Sequence, residues 1–480
     1  MPCATSVEPV KSTAPRGAVL FTGSTEVAQG IDRVLAQEPR NAGTVLVAET
    51  GGLNAMIVDS SALPEQVVQD AVHSAFNSAG QRCSALRILC LQEEIAPVVE
   101  PMLAGAIAEL RVGDPARLET DLGPVIDAQA LEAIERHIAG FPPRQVLARA
   151  SLAPESASGH FLAPALLSIA SLAEVPREVF GPVLHVLRYR REELPALVDA
   201  INGTGYGLTF GVHSRIDETI DMLGGRIRAG NVYVNRNLIG AVVGVQPFGG
   251  EGLSGTGPKA GGPWMVPRLR RGARLRLASL DGARRTGEMA PACARFISWL
   301  QAGGDEALAA RCEELAQWSP FGWEVGLPGP TGESNLLRYR PRGRVLCRVA
   351  GVADGSGHRA ALLEQLAACI LTGNRAVFEE GEVARELASR VPQEVADRID
   401  WTANPAGEDL GAVLLRAPAG ELAALRRVLA ARDGARVAIV RDGGEGPPGY
   451  ELEKLVSEQV VSVNTAAAGG NASLMTLSPD

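Results

Sequence analysis

A chain of 480 residues with 46 basic and 55 acidic side chains carries a formal charge of −9, a sign that argues against nucleic-acid binding, which needs a basic face for phosphates. Its 46% hydrophobic content is enough for a substantial core in two to four domains, and no apolar run reaches the roughly 18 residues of a membrane span. Seven scattered cysteines without Cys-x-x-Cys spacing, and six histidines without a His-x-x-x-His pair, exclude a disulfide framework and a dedicated metal site and point to a reducing, cytoplasmic setting.

Residues 1–16 lack periodicity and hold three prolines, so they read as an irregular arm. Gly17 to Phe21 is strand-like, and Thr22-Gly23-Ser24-Thr25 then turns into a helix carrying Val27, Ile31, Val34 and Leu35. A Gly-Ser turn at a helix start offers free N–H groups and a positive dipole end, which suits a phosphate. The apolar run Val45 to Ala48 predicts a buried strand that leaves Glu49 at its end, followed by Thr50-Gly51-Gly52.

From Leu53 to about Gly262 strand-like and helical segments alternate, which predicts an α/β domain. Within it, Val67, Val68, Ala71, Val72, Ala75 and Phe76 share one helical face. That helix leads into Ser78-Ala79-Gly80-Gln81-Arg82-Cys83-Ser84, with Cys83 on a glycine turn ahead of the strand-like Leu86 to Leu91. Beyond Pro263 the composition shifts to arginine and leucine, then to an alanine-rich helical region from about Glu288 to Trp318.

A second α/β unit follows, with strands at Arg344 to Val349, Ala412 to Leu415 and Ala435 to Val440 and a helix at Ala360 to Leu371. Gly355-Ser356-Gly357-His358-Arg359-Ala360 fits the looser dinucleotide fingerprint, read here as a degenerate cofactor fold. Val460 to Val463 reads as an edge-type strand that docks, and that edge is one on which a second copy of the chain can add.

Two side chains carry chemistry in this pattern. A thiolate adds to a carbonyl carbon to form a covalent intermediate, and a carboxylate nearby activates the water that releases it. Cys83 and Glu49 are suited to that division of labour, which serves the oxidation of an aldehyde.

Phe21-Thr22-Gly23-Ser24-Thr25-Glu26, Glu49-Thr50-Gly51-Gly52, Gly80-Gln81-Arg82-Cys83, Glu178-Val179-Phe180-Gly181-Pro182-Val183 and Pro247-Phe248-Gly249-Gly250 follow one another in the order of the aldehyde dehydrogenase superfamily, which the chain resembles. The runs Asn77 to Ser84, Gly240 to Gln246 and Gly257 to Pro263 look like the glutamate-γ-semialdehyde (1-pyrroline-5-carboxylate) dehydrogenases. The second α/β unit and the tail from Ser462 to Leu477 are similar to the C-terminal region of the bifunctional proline-utilisation flavoproteins.

The resemblance implies an α/β fold with a partial Rossmann-type cofactor domain (17–52), an aldehyde dehydrogenase-like catalytic domain (53–275), a C-terminal α/β domain (276–455) and a C-terminal strand and tail (456–480). It implies Cys83 as nucleophile and Glu49 as the base for thioester hydrolysis. Gly23 and Ser24 would then contact the pyrophosphate of NAD, Glu178 its nicotinamide ribose, and Phe180 would wall it. Ser84, Gly240 and Ala241 would hold the substrate carboxylate, and Phe248 the aliphatic chain. The implied substrate is glutamate semialdehyde, oxidised to glutamate in the second step of proline degradation.

A homo-oligomer and association with a proline dehydrogenase module are also implied, FAD belonging to that module. Half of the family's aldehyde dehydrogenase module precedes its Phe-Thr-Gly-Ser motif, so this sequence is expected to be the last third of a larger enzyme. The competing expectation is a catalytically silent element that covers a channel or assists assembly.

Overall fold

The computed structural model describes residues 17–38, 41, 43–152, 156, 159–270, 275–286, 291–352, 355–442 and 449–466. The expected arm 1–16 and the tail beyond 466 lie outside the described residues. The largest element is an eleven-stranded sheet. At its centre Ala55–Val58, Ile88–Gln92, Val183–Tyr189, Thr209–His213 and Asn231–Val234 run parallel.

These central strands are apolar throughout because both faces are covered. Alternate residues serve opposite sides of the sheet. Met56, Val58, Leu89 and Leu91 pack with Val67, Ala71, Val99 and Leu103, on the helices Pro64–Phe76 and Ala96–Ala108. Ala55, Ile57, Ile88 and Cys90 pack with Leu197, Val198, Ile201 and Leu223, on Leu194–Gly203 and Asp217–Arg226. Both periodicities read from the sequence are thus satisfied by one sandwich.

The strand expected at a sheet edge is an interior one. Val456–Asn464 runs parallel to Asn231–Val234 on one side and antiparallel to Glu333–Pro341 on the other. With both ladders paired and Val460 and Ser462 fully buried, this strand has no free edge to offer a second copy. Glu333–Pro341 in turn pairs with Trp323–Leu327, and that with Ala283–Arg285. Strands from the second half of the chain therefore complete the sheet that carries the first half.

The remaining sheet has five parallel strands in the spatial order Ile399–Thr402, Arg375–Glu379, Arg344–Val349, Ala412–Arg416, Ala438–Arg441. Counted along the chain this is 3-2-1-4-5, the doubly wound order of dinucleotide folds. Gly355-Ser356-Gly357 lies in the first turn of the helix Gly355–Leu371, not in a loop ahead of it. At the crevice where the strand order reverses, Gly351 takes a left-handed φ of 72° and the Pro418 ring packs so close that a Cβ on Gly351 would lie 2.8 Å from it.

The N-terminal segment is small: Ala18–Thr22 and Val45–Glu49 pair in parallel beneath the helix Thr25–Gln37. That helix is fastened to the C-terminal α/β unit. Arg436 binds Asp32 at 2.8 Å, and Gln29 donates to the Gly434 carbonyl at 3.0 Å.

Candidate active site

Three elements converge on Cys83. The helix Pro64–Phe76 ends and Ser78, Ala79 and Gly80 follow with φ of 55°, 52° and 66°. Three successive left-handed residues reverse the chain and present Cys83 partly exposed at the amino end of strand Ile88–Gln92. Only glycine fits at position 80, because a Cβ there would overlap the Gly181 carbonyl.

Asn54, at the amino end of the neighbouring strand, pegs this turn. Its Nδ2 donates to the carbonyls of Cys83 (2.7 Å) and Ala85 (2.8 Å), while its Oδ1 accepts from Thr209 N–H at 3.1 Å. Ser84 is buried, and its carbonyl takes the Thr209 hydroxyl at 3.3 Å.

Arg87 lies beneath the turn without any exposed surface. It donates to the carbonyls of Gly80 (2.7 Å), Arg82 (3.0 Å) and Gly181 (3.3 Å), and to the Glu178 carboxylate at 3.1 Å. Phe180 covers the guanidinium, its ring centroid 5.3 Å from the Arg87 carbon, and leaves 44% of its own surface exposed. The aromatic ring thus covers Arg87 with one face and is partly open to solvent, not a core residue. Glu178 also rests on Gly51, where a Cβ would overlap the carboxylate.

Glu49 comes from the two-stranded sheet. It ends its strand, accepts Gly23 N–H on its carbonyl at 3.2 Å, and receives Gly250 N–H on Oε2 at 2.7 Å. Its Oε1 is shut off from solvent and has no hydrogen-bond partner among the described residues. A Cβ on Gly249 would come within 2.7 Å of that oxygen, so the Phe-Gly-Gly motif clears space for it. Burial pushes the Glu49 carboxyl up to about 8, opposed by the Gly250 N–H and by the Lys259 ammonium.

Burial also raises the Cys83 thiol; Glu178 and, more weakly, Glu49 push the same way, while the N–H groups of Ser84 and Cys83 itself favour the thiolate. The two carboxylates therefore stand near enough to the sulfur for their charges to be felt there.

The structure brings Cys83, Ser84, Glu49, Glu178 and Phe180 to one locality and ties Gly23 to it through Glu49. Ser24 caps the helix Thr25–Gln37, its hydroxyl accepting Val27 N–H at 3.3 Å. Phe248 pairs by its backbone with Ala260, next to the glycines that abut Glu49. Gly240 and Ala241 lie on a loop with Val243 almost fully exposed, held through Gln246, which donates to Glu333, Asn335 and Ser462. Among the described residues no hydrogen bond joins Gly240 or Ala241 to the Cys83 turn.

Sequence reasoning missed Asn54, Arg87 and Lys259. A single charge inside the apolar run Leu86 to Leu91 was the available signal for Arg87, since such a residue is rarely buried unless paired. Among the described residues no group of His, Cys, Asp and Glu is placed to hold a metal ion, and no helix is long and apolar enough to cross a membrane. The six described cysteines are free thiols.

A partly exposed thiol on a glycine turn and a secluded carboxylate at a strand end fit a thiol-dependent enzyme, and the family model that matches residues 10–269 is the aldehyde dehydrogenase family, to which the chain belongs. Among curated relatives, the bifunctional protein PutA of Escherichia coli is 47% identical over 477 residues, which cover 96% of this chain and 36% of that protein. A 1-pyrroline-5-carboxylate dehydrogenase of Geobacillus kaustophilus is 34% identical over 250 residues, 51% of this chain and 48% of that one.

The structure of proline utilization A from Corynebacterium freiburgense superposes over 94% of this chain and 42% of its own, with a TM-score of 0.66 and 24% identity, a likeness of fold. The chain thus spans little more than a third of the length of the bifunctional relative it matches.

Proposed function

We propose that this chain carries the oxidation of L-glutamate-γ-semialdehyde to L-glutamate with NAD, through a thioester on Cys83. The observation that supports the reading is a partly exposed Cys83 on its left-handed turn whose sulfur feels the carboxylates of both Glu178 and Glu49. The name of the 1-pyrroline-5-carboxylate dehydrogenase relative, 34% identical over 250 residues, supports the substrate.

Residues suited to the cofactor are present. The first turn of the helix that follows Gly23 and Ser24 would offer N–H groups to a pyrophosphate, the pinned Glu178 carboxylate would accept from ribose hydroxyls, and the exposed Phe180 face would flank a flat ring. Bound there, NAD supplies the hydride acceptor.

The Cys83 thiolate attacks the aldehyde carbon, forming the C–S bond, and the Cys83 N–H stabilises the oxyanion. Once the carbon has lost hydride and become a thioester, Glu49 takes a proton from water. The hydroxide so formed adds to the thioester carbon, the C–S bond breaks to restore the Cys83 thiolate, and the acid so released gives up its proton to water as carboxylate. Ser84 with the Gly240-Ala241 loop anchors the substrate's own carboxylate in this reading, and Phe248 lines its chain.

A cytoplasmic setting accords with the free thiols. Self-association and docking with a proline dehydrogenase module belong to the same proposal, supported by the bifunctional relative. The rival reading of a silent assembly element is not favoured, because both relatives and the assembled site support an enzyme.

The test is NADH formation from glutamate semialdehyde. Cys83→Ala is expected to abolish it, whereas Glu49→Gln is expected to retain a single-turnover burst and lose ~10²–10⁴-fold in steady turnover. A Glu49→Gln variant turning over at the parental rate would remove the base from the mechanism.

A further inference from the structure

Lys259 belongs to the Gly257 to Pro263 motif, yet the chemistry above gives it nothing to do. It is 2% exposed, and a buried ammonium is costly unless paired. Its Nζ donates to Asn231 Oδ1 at 2.8 Å and to the Gly249 carbonyl. Its own N–H donates to Glu458 Oε2 at 2.7 Å, a carboxylate delivered by the strand Val456–Asn464. Asn231 adds a second clamp, donating to the Pro247 carbonyl at 3.0 Å and accepting Gly249 N–H at 3.3 Å.

The Gly249 carbonyl and the Gly250 N–H are the two ends of one planar peptide, and in a trans peptide they point in opposite directions. Lys259 holds the first; Glu49 receives the second, at 2.7 Å. The peptide dipole is thereby aligned between an ammonium and a carboxylate. No side chain intrudes, for a Cβ on Gly230 would lie 2.7 Å from Lys259 Nζ and one on Gly249 would lie 2.7 Å from Glu49 Oε1. A small crevice lined by Gly250, Lys259, Arg268, Arg342, Glu453 and Glu458 adjoins this arrangement.

We propose that Lys259 is a positioning residue for Glu49: seated by Asn231 and Glu458, its ammonium fixes the Gly249 carbonyl and so aims the Gly250 N–H at the water-activating carboxylate. This rests on the reading of Glu49 as the base. The groups that bear on Glu49 are Lys259, which favours its ionised form, Glu458, which opposes it, and the Cys83 sulfur. Those that bear on Lys259 are Glu458, Glu49 and Glu251, all favouring the ammonium against burial. Removing the Lys259 charge withdraws support from the Glu49 carboxylate, and the pH at which the base becomes available then rises.

The full chain can be acylated on Cys83 by p-nitrophenyl acetate, which needs no hydride acceptor. The nitrophenolate burst reports acylation, and the steady release reports hydrolysis. In the parent the steady rate is expected to rise with pH through a limb well above the usual carboxylate range, because burial holds the Glu49 carboxyl up.

Lys259→Met is expected to keep the burst and to move that limb by about one pH unit or more in the alkaline direction, a tenfold change in proton affinity. Lys259→Gln retains a donor for Asn231 and should fold where methionine does not; its limb is expected to move the same way by a smaller amount. A limb at the parental pH in the folded variants would overturn the proposal. Glu49→Gln separates the two ideas: if it retains the parental steady rate, the base assignment fails, whatever Lys259 does.

Discussion

Replacing Asn54 by alanine removes three hydrogen bonds at once, to the Cys83 and Ala85 carbonyls and from the Thr209 N–H. Asn54 is 2% exposed, so the three abandoned groups remain inside the protein. Each buried polar group left without a partner costs about 1–3 kcal/mol. Water admitted to the vacated space lowers the sum, which gives about 3–5 kcal/mol for Asn54→Ala.

Asn54→Asp is the sharper probe, because it keeps the acceptor for Thr209 and sets a carboxyl oxygen against two carbonyl oxygens 2.7 and 2.8 Å away. Only the protonated acid tolerates that contact, so its folded-state pKa must lie above the unfolded value. Stability linked to a raised carboxyl pKa is present at low pH and is lost as pH rises through the folded value. The deficit of Asn54→Asp relative to the parent is therefore expected to grow from about pH 4.5 to about pH 8, by about 1.4 kcal/mol for every tenfold gain in the proton affinity of the buried carboxyl. Urea unfolding at the two pH values measures it; an equal deficit at both would show that the amide does not face those carbonyls.

Gly80→Ala is expected to yield little folded protein, since a Cβ at φ 66° overlaps the Gly181 carbonyl and neither backbone can yield; its soluble fraction and thermal unfolding check this. Iodoacetamide labelling of Cys83 should climb with pH to above 9, and Glu178→Gln, by removing a carboxylate that opposes the thiolate, should shift the profile to lower pH. An unmoved profile would mean that Glu178 does not face the sulfur.

His185, buried against His137 at 2.8 Å and against the Arg87 carbonyl at 2.9 Å, is held by burial down to about 4, from an ordinary 6.5. A depressed histidine contributes stability above its unfolded pKa that is lost as pH falls through the folded one, here between 6.5 and 4. About 3 kcal/mol of pH dependence follows, and His185→Gln should flatten unfolding curves across that window.

Much of the site is legible in the order of the residues. Strand and helix periodicity locates Glu49 at a strand end and Cys83 after the helix Pro64–Phe76, because apolar spacing reports which face is buried. The glycines at 51, 80 and 249 stand beside the reactive residues for reasons of space that the close approaches of Glu178, Gly181 and Glu49 explain. The scaffolding behind them is not legible. Asn54, Arg87 and Glu458 reach their partners across 29, 91 and 199 positions respectively, and no local pattern encodes a contact between strands whose order in the sheet is unknown.

The strand Val456–Asn464 shows the same division. Its apolar half announced that it would be buried, yet only tertiary pairing decided that it would lie inside the large sheet, between Asn231–Val234 and Glu333–Pro341. Local side-chain preference fixes what a segment can become. Which edge it meets is chosen by the hydrogen-bond ladders and burial that the rest of the chain supplies, and that choice carries Glu458 to Lys259 and, through a single peptide, to Glu49.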